Sequence, residues 1–283
     1  MNPINSAYSI MEAKGVSFGY PGTDKKALRE LNLCLPKGKK TAICGHNGSG
    51  KSTFFLHAIG IHRPSSGQML WRGSALSYRP NDLKTLRQQI GLVFQDPEQQ
   101  LILNTPYEDV TFGLRNAGMS EPNIRLRAGN TLDAMGLASV ADTPIHHLSL
   151  GLKKRVALAG VLALEPELLL LDEPTAYLDR ASERQLVDEL NRIHASGVTV
   201  AMATHDMNLA YAWADWILVM EQGQCVMQGT PQQVFEDRDA IVSLGLELPM
   251  LLELWYALPE FLREGTPPRS VEHFKQLVKK PIR

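Results

Sequence analysis

Within residues 12–44 apolar and polar positions alternate locally with a two-residue period. Leu31, Leu33 and Leu35 alternate with Asn32 and Cys34, and Pro36-Lys37-Gly38 supplies a turn, so strands are expected here. Thr41-Ala42-Ile43-Cys44 is a short apolar run that stops at a glycine-rich loop, after which Phe54, Phe55, Leu56, Ala58 and Ile59 suit a buried helix. Gly91-Leu92-Val93-Phe94 reads as another strand. Between about residues 105 and 147 the strand-like runs disappear. Segments such as 121–135 read as helix, separated by Gly118, Gly136 and Pro144, which predicts a helical insertion. Helix (150–164), strand (168–172), helix (180–194), strand (198–203) and helix (207–213) then follow in order. That alternation predicts a parallel sheet covered by helices. After Gly229-Thr230-Pro231, Val234, Phe235, Ile241, Leu244, Leu248, Leu251, Leu252, Leu254 and Trp255 give a leucine-rich helical tail broken at Pro267-Pro268. It is expected to serve packing or dimerisation.

Composition narrows the function classes. The chain has 283 residues, 29 Lys+Arg against 30 Asp+Glu for a net charge of −1, and is 44% hydrophobic and 21% charged. This is neither a disordered nor a fibrous composition, and the charge balance argues against finding nucleic acid by bulk attraction. The apolar stretch 156–171 is interrupted by Glu165, Pro166 and Glu167, so no membrane span is expected. Action at a membrane would require docking onto a partner that spans it. The N-terminal residues lack the basic segment and apolar core of a signal peptide, which predicts a cytosolic chain. Cys34, Cys44 and Cys225 have no CxxC spacing and read as small buried hydrophobes in strands.

Chemistry enters at two places. Gly45-His46-Asn47-Gly48-Ser49-Gly50-Lys51-Ser52 fits G-x-x-x-x-G-K-[ST] at every fixed position, between an apolar strand and a helix. The glycines let the backbone wrap phosphates, successive N–H groups point inward, and the following helix presents its positive end. Lys51 is expected to neutralise the β- and γ-phosphates and Ser52 to hold Mg²⁺, with Thr53 among the binding residues. Leu168-Leu169-Leu170-Leu171-Asp172-Glu173-Pro174 is an apolar strand ending in two carboxylates. Strand carboxyl ends face the ligand crevice of a parallel sheet, and adjacent residues point to opposite sides. Asp172 is accordingly expected in the Mg²⁺ shell and Glu173 on the attacking water.

With these two motifs stand Phe18-Gly19-Tyr20, a glutamine loop at Val93-Phe94-Gln95-Asp96, Leu148-Ser149-Leu150-Gly151-Leu152, Ala176-Tyr177-Leu178-Asp179 and Ala203-Thr204-His205-Asp206. In this order and spacing the set resembles the ATP-binding subunit of an ABC transporter, over about residues 18–229. The resemblance implies a P-loop NTPase core of α/β class, with an antiparallel β subdomain, a helical subdomain at about 97–164, and an ATPase domain over 1–230 followed by a helical extension over 231–283. It implies ATP hydrolysis with Mg²⁺. Tyr20 would stack on adenine. Gln95 would reach Mg²⁺ and the attacking water, and His205 would bond the γ-phosphate. Ser149, at a helix N-cap, and the Gly151 backbone would meet ATP held by a second subunit, giving a head-to-tail dimer. Leu150 and Leu152 depart from the usual LSGGQ, which bears on hydrolysis rate and ATP affinity.

Phe94-Gln95-Asp96-Pro97-Glu98-Gln99-Gln100-Leu101, Gly113-Leu114-Arg115-Asn116-Ala117-Gly118 and Lys154-Arg155-Val156-Ala157-Leu158-Ala159-Gly160 resemble energy-coupling-factor importers, particularly their cobalt and nickel members. That implies a transmembrane coupling subunit, a membrane substrate-capture subunit and a second ATPase, identical or different, with this chain on the cytoplasmic face and no nucleic acid. The metal would never touch it. A soluble ABC ATPase acting on DNA or ribosomes, a vitamin-importing module and a P-loop kinase are the alternatives. His146-His147 reads as a surface loop rather than a metal site, and Lys279-Lys280 with Arg283 as a solvated end.

Overall fold

The computed structural model describes residues 9–260, 263 and 265–278; the basic cluster at Lys279, Lys280 and Arg283 lies outside them, as do residues 1–8. Among the described residues the chain forms two sheets. The first is antiparallel, in the order β2 (Lys26–Pro36), β1 (Ser9–Gly19), β4 (Ser66–Trp71), β5 (Ser74–Ala75). The second has the order β10 (Gln224–Gly229), β9 (Trp216–Glu221), β3 (Lys40–Cys44), β8 (Thr199–Thr204), β7 (Leu168–Asp172), β6 (Ile90–Val93). Its strands are parallel except β10, which pairs antiparallel with β9.

Helices α1 (Lys51–Ala58) and α2 (Pro80–Gln89) flank the first half of the chain. The insertion comprises α3 (Pro106–Asn116), α4 (Glu121–Ala134) and the start of α5 (Leu150–Leu162), and α6 (Arg180–Ala195) and α7 (Met207–Trp213) complete the core. The extension carries α8 (Pro231–Glu236), α9 (Arg238–Ser243), α10 (Met250–Ala257) and α11 (Val271–Val278).

Strand periodicity divides the interior in two. Leu168 and Leu170 point with Ile43, Ala201 and Leu218 into a core shared with α1 and the antiparallel sheet. Leu169 and Leu171 point the other way, with Val200, Met202 and Val219, into a core shared with the helical insertion. Val234, Phe235, Ile241 and Leu246 of the extension are buried in that second core, so this part of the tail packs on the ATPase body.

The expected elements recur with their ends moved by a residue or two. Helix α2 is not expected from sequence, and neither are the hairpins β4–β5 and β9–β10. Each turns through two left-handed residues, Arg72-Gly73 (φ 51° and 79°) and Gln222-Gly223 (φ 46° and 82°). Those are type I′ angles, but Arg and Gln stand where the recognisable Asn or Asp would be. The three cysteines are unpaired, Cys44 buried and Cys34 and Cys225 partly so.

Candidate active site

The loop after β3 is shaped by backbone angles that only glycine adopts readily. Gly45, Gly48 and Gly50 have φ of 147°, 81° and 106°, and a Cβ on Gly45 would lie 2.2 Å from the Met220 carbonyl oxygen. Gly50 is the N-cap of α1 and offers no side chain to its first turn, leaving those N–H groups for an anion. Lys51 is buried; its Nζ donates to the Gly45 and His46 carbonyls at 2.6 and 3.1 Å and lies 3.9 Å from Glu173 Oε1. Burial pulls its pKa down, against the attraction of Glu173 and Asp172.

The acidic pair sits where β7 ends. Burial raises the Asp172 carboxyl above its usual range, while a hydrogen bond with Ser52 and the charge of Lys51 oppose the rise. Glu173 follows with φ 45°, rare for a residue with a side chain, and its N–H donates to the Ala203 carbonyl at 3.0 Å. This bend keeps Glu173 buried in the cleft. Its Oε2 accepts from His205 Nδ1 at 2.8 Å, and its buried Oε1 has no hydrogen-bond partner. His205 itself is largely solvent-exposed.

One cleft of about 270 Å³ gathers Tyr20, residues 47–53, Gln95, Asp172 and Glu173. Ser52 hydroxyl, Asp172 carboxylate and Gln95 amide are hard oxygen donors of the kind Mg²⁺ takes beside substrate phosphates, so the residues fit that ion. Tyr20 is partly exposed. Its hydroxyl hydrogen-bonds Thr53 Oγ1 at 3.2 Å, and its ring meets Phe18 and His62 edge-on at 5.1 and 5.4 Å.

Ser149 and Gly151 line a different cleft, which shares no residue with the first. Ser149 is the N-cap of α5, its Oγ accepting from the Leu152 N–H at 3.4 Å. A Cβ on Gly151 would lie 3.3 Å from Ser182 Oγ, in the first turn of α6, where Asp179 Oδ1 caps the N–H groups of Ala181 and Ser182 at 2.9 Å. The starts of α5 and α6 thus meet at Gly151. Leu152 is partly buried against the helical core.

Residues 28–176 match the ABC transporter family. The cobalt import ATP-binding protein CbiO of Rhodobacter capsulatus is 42% identical over 245 residues, 87% of each chain. The energy-coupling factor transporter ATP-binding protein EcfA of Methanocaldococcus jannaschii is 40% identical over 246 residues, 87% of this chain and 88% of that one. The chain belongs to the ABC transporter ATP-binding family. Its fold agrees: the structure of cbiO1 from Clostridium perfringens, described as part of the transporter complex cbiONQ, superimposes with a TM-score of 0.75 at 38% identity, over 88% of this chain and 99% of that one.

In this ABC ATPase one residue of the site was not singled out from sequence. Lys154 on α5 is buried, and its Nζ donates to the carbonyls of Pro174 at 2.7 Å and Ala176 at 2.8 Å. It ties the helix headed by Ser149 to the segment that follows Glu173. In sequence it is only the middle of a basic run. Burial pushes its pKa down to about 8, opposed by Glu173 and Asp96. An unfolded lysine titrates at about 10.4, so between those values the unfolded chain binds the extra proton and the Lys154 contribution to stability rises with pH. In alkaline unfolding series Lys154→Met is expected to flatten that rise; an unchanged slope would refute the perturbed lysine.

His146 and His147 form an exposed 3₁₀ turn with Ile145. Among the described residues no helix is long and apolar enough to cross a membrane.

Proposed function

We propose that this ABC ATPase energises an energy-coupling-factor importer for cobalt or nickel ions, with two ATPase subunits sharing two ATP sites. The observation carrying the shared-site reading is the separation of two anion-ready helix starts. Gly50 heads α1 in the nucleotide cleft, and Ser149 heads α5 in a cleft of its own. A triphosphate on the first leaves the second without a ligand unless another subunit brings one.

In the closed pair, Tyr20 stacks on adenine. The N–H groups of residues 45–53 and the Lys51 ammonium hold the phosphates, and the partner's Ser149 hydroxyl and Gly151 N–H close over the γ-phosphate. Ser52, Asp172 and Gln95 would hold Mg²⁺, which when bound would supply charge neutralisation for the phosphates. Glu173 takes a hydrogen bond from the attacking water, whose oxygen bonds to the γ-phosphorus as the bond to the bridging oxygen breaks, giving ADP and phosphate. Lys51 leaves its two carbonyls to reach the phosphates, and His205 is released from Glu173 to bond the γ-phosphate. Loss of that phosphate removes the contacts joining the subunits.

Support for the metal-ion reading is the likeness to CbiO, a protein named for cobalt import. Ile102, 63% exposed, and Phe112, 41% exposed on α3, belong to the helical insertion that follows Gln95 in sequence and would give apolar surface for the membrane coupling subunit. The chain would sit on the cytoplasmic side through that contact. The extension also offers a dimer surface: Met250 and Leu254 of α10 are exposed while Leu252 and Trp255 are buried.

The test is to co-express the chain with the coupling and substrate-capture membrane subunits of an energy-coupling-factor importer and measure ATP-dependent uptake of Co²⁺, Ni²⁺ and vitamins. Co-purification with concentrative Co²⁺ or Ni²⁺ uptake is expected. Uptake of a vitamin alone, or no association with a membrane subunit, would overturn the assignment.

A further inference from the structure

The extension touches the phosphate loop directly. Helix α9 ends in a Schellman turn, in which Gly245 (φ 70°) donates its N–H to Val242 O at 2.9 Å and Leu246 donates to Ile241 O at 3.1 Å. Ile241 and Leu246 are both buried, so packing fixes the turn in place. The carbonyl of the intervening Leu244 meets the ring of His46, whose Nε2 lies 3.0 Å away. A carbonyl only accepts, so Nε2 carries the proton. Gly245 permits the approach: a Cβ there would lie 3.0 Å from His46 Nε2.

The backbone of the same histidine faces the nucleotide machinery. Its carbonyl accepts from the Ser49 N–H and from Lys51 Nζ, both at 3.1 Å. The loop is therefore a wall between two clefts. Asn47, Gly48 and Ser49 line the nucleotide cleft on one side and, on the other, a cleft of about 190 Å³ completed by His46, Leu244 and Leu246.

The extension also holds the helix after His205. Arg269 donates from Nε to Tyr211 O at 2.8 Å and from its terminal nitrogen to Ala212 O at 3.2 Å, and it also bonds the Ala214 carbonyl, so it caps the end of α7. The Met250 N–H donates to Asn208 Oδ1, in the first turn of that helix, at 2.8 Å.

We propose that His46 is a positioning residue through which the C-terminal extension holds the phosphate loop in its nucleotide-receptive shape, so that nucleotide affinity and the order of the 241–246 turn are coupled. The inference rests on reading residues 45–53 as the nucleotide site. A tether on the far side of a loop lowers the ordering cost of binding, and the coupling is reciprocal: bound nucleotide steadies the turn.

Chemical mimicry tests it. Glutamine places its amide nitrogen as many bonds from Cα as His Nε2, whereas asparagine reaches only as far as Nδ1. In the full chain, titration with a fluorescent N-methylanthraniloyl-ATP is combined with hydrogen exchange at Gly245 and Leu246. His46→Ala and His46→Asn are expected to raise Kd about three- to tenfold, the range of one net hydrogen bond, and to speed exchange at both amides; His46→Gln restores both. Added nucleotide slows that exchange in the wild type. Equal Kd for the wild type and His46→Ala, equal loss in Gln, Asn and Ala, or exchange at Gly245 and Leu246 indifferent to His46 would each overturn the proposal. A wild-type chain that binds no nucleotide overturns the site reading and the coupling with it, even where exchange at Gly245 still answers to His46→Ala.

Discussion

Glu173→Gln is expected to lower ATP turnover by about 10²- to 10⁴-fold, the usual contribution of a positioned general base, while ATP affinity stays near wild type. The change is nearly isosteric, so the buried left-handed bend at φ 45° and the contact with His205 have no steric reason to fail. What is removed is a carboxylate whose Oε1 is buried without a hydrogen-bond partner in the nucleotide cleft, the acceptor left for a water. Steady-state phosphate release and equilibrium nucleotide titration on the same preparation separate the two quantities. Turnover at the wild-type rate would remove Glu173 from the water-activating role.

Lys51→Ala is expected to weaken ATP binding by roughly 10²-fold or more, about 3 kcal/mol, since a desolvated triphosphate loses a direct cation. The variant also leaves Glu173 buried without the ammonium 3.9 Å away, so a lower thermal midpoint is expected without nucleotide. The Lys51 ammonium holds two loop carbonyls in this state, so part of the loss is loop order rather than phosphate contact. His46→Ala removes a loop restraint while keeping the cation, and comparison of the two variants separates these shares. An unchanged ATP titration in Lys51→Ala would contradict the loop assignment.

The parallel sheet and the grouping of residues in the candidate cleft are legible because each rests on a local pattern. The run 168–172 is apolar on both faces, as a strand buried between two layers must be, and the structure confirms its span as β7. The glycine loop declares its own geometry, since Gly45, Gly48 and Gly50 stand where the backbone turns left-handed. The contacts hidden from sequence join distant positions. His205 meets Glu173 across 32 residues, Lys154 reaches Pro174 across 20, and His46 meets Leu244 across 198. In each of the last two, one partner is a main-chain carbonyl, which no residue type advertises. Leu152 shows the converse. As a replacement for a polar residue it stands out in the sequence, yet it packs partly against the helical core while still lining the cleft of Ser149 and Gly151. The two Gly-containing hairpins are not legible in the sequence because their first left-handed residues, Arg72 and Gln222, are poor turn formers.

The central claim is that the start of α1 in one subunit and the start of α5 in another enclose a single ATP. Sedimentation of the Glu173→Gln chain with MgATP, alone and mixed with a different ATPase subunit where its transporter has one, tests this most directly. A two-subunit species that forms with ATP and dissolves with ADP is predicted. A species that stays at one subunit with saturating ATP in both mixtures would contradict the shared site.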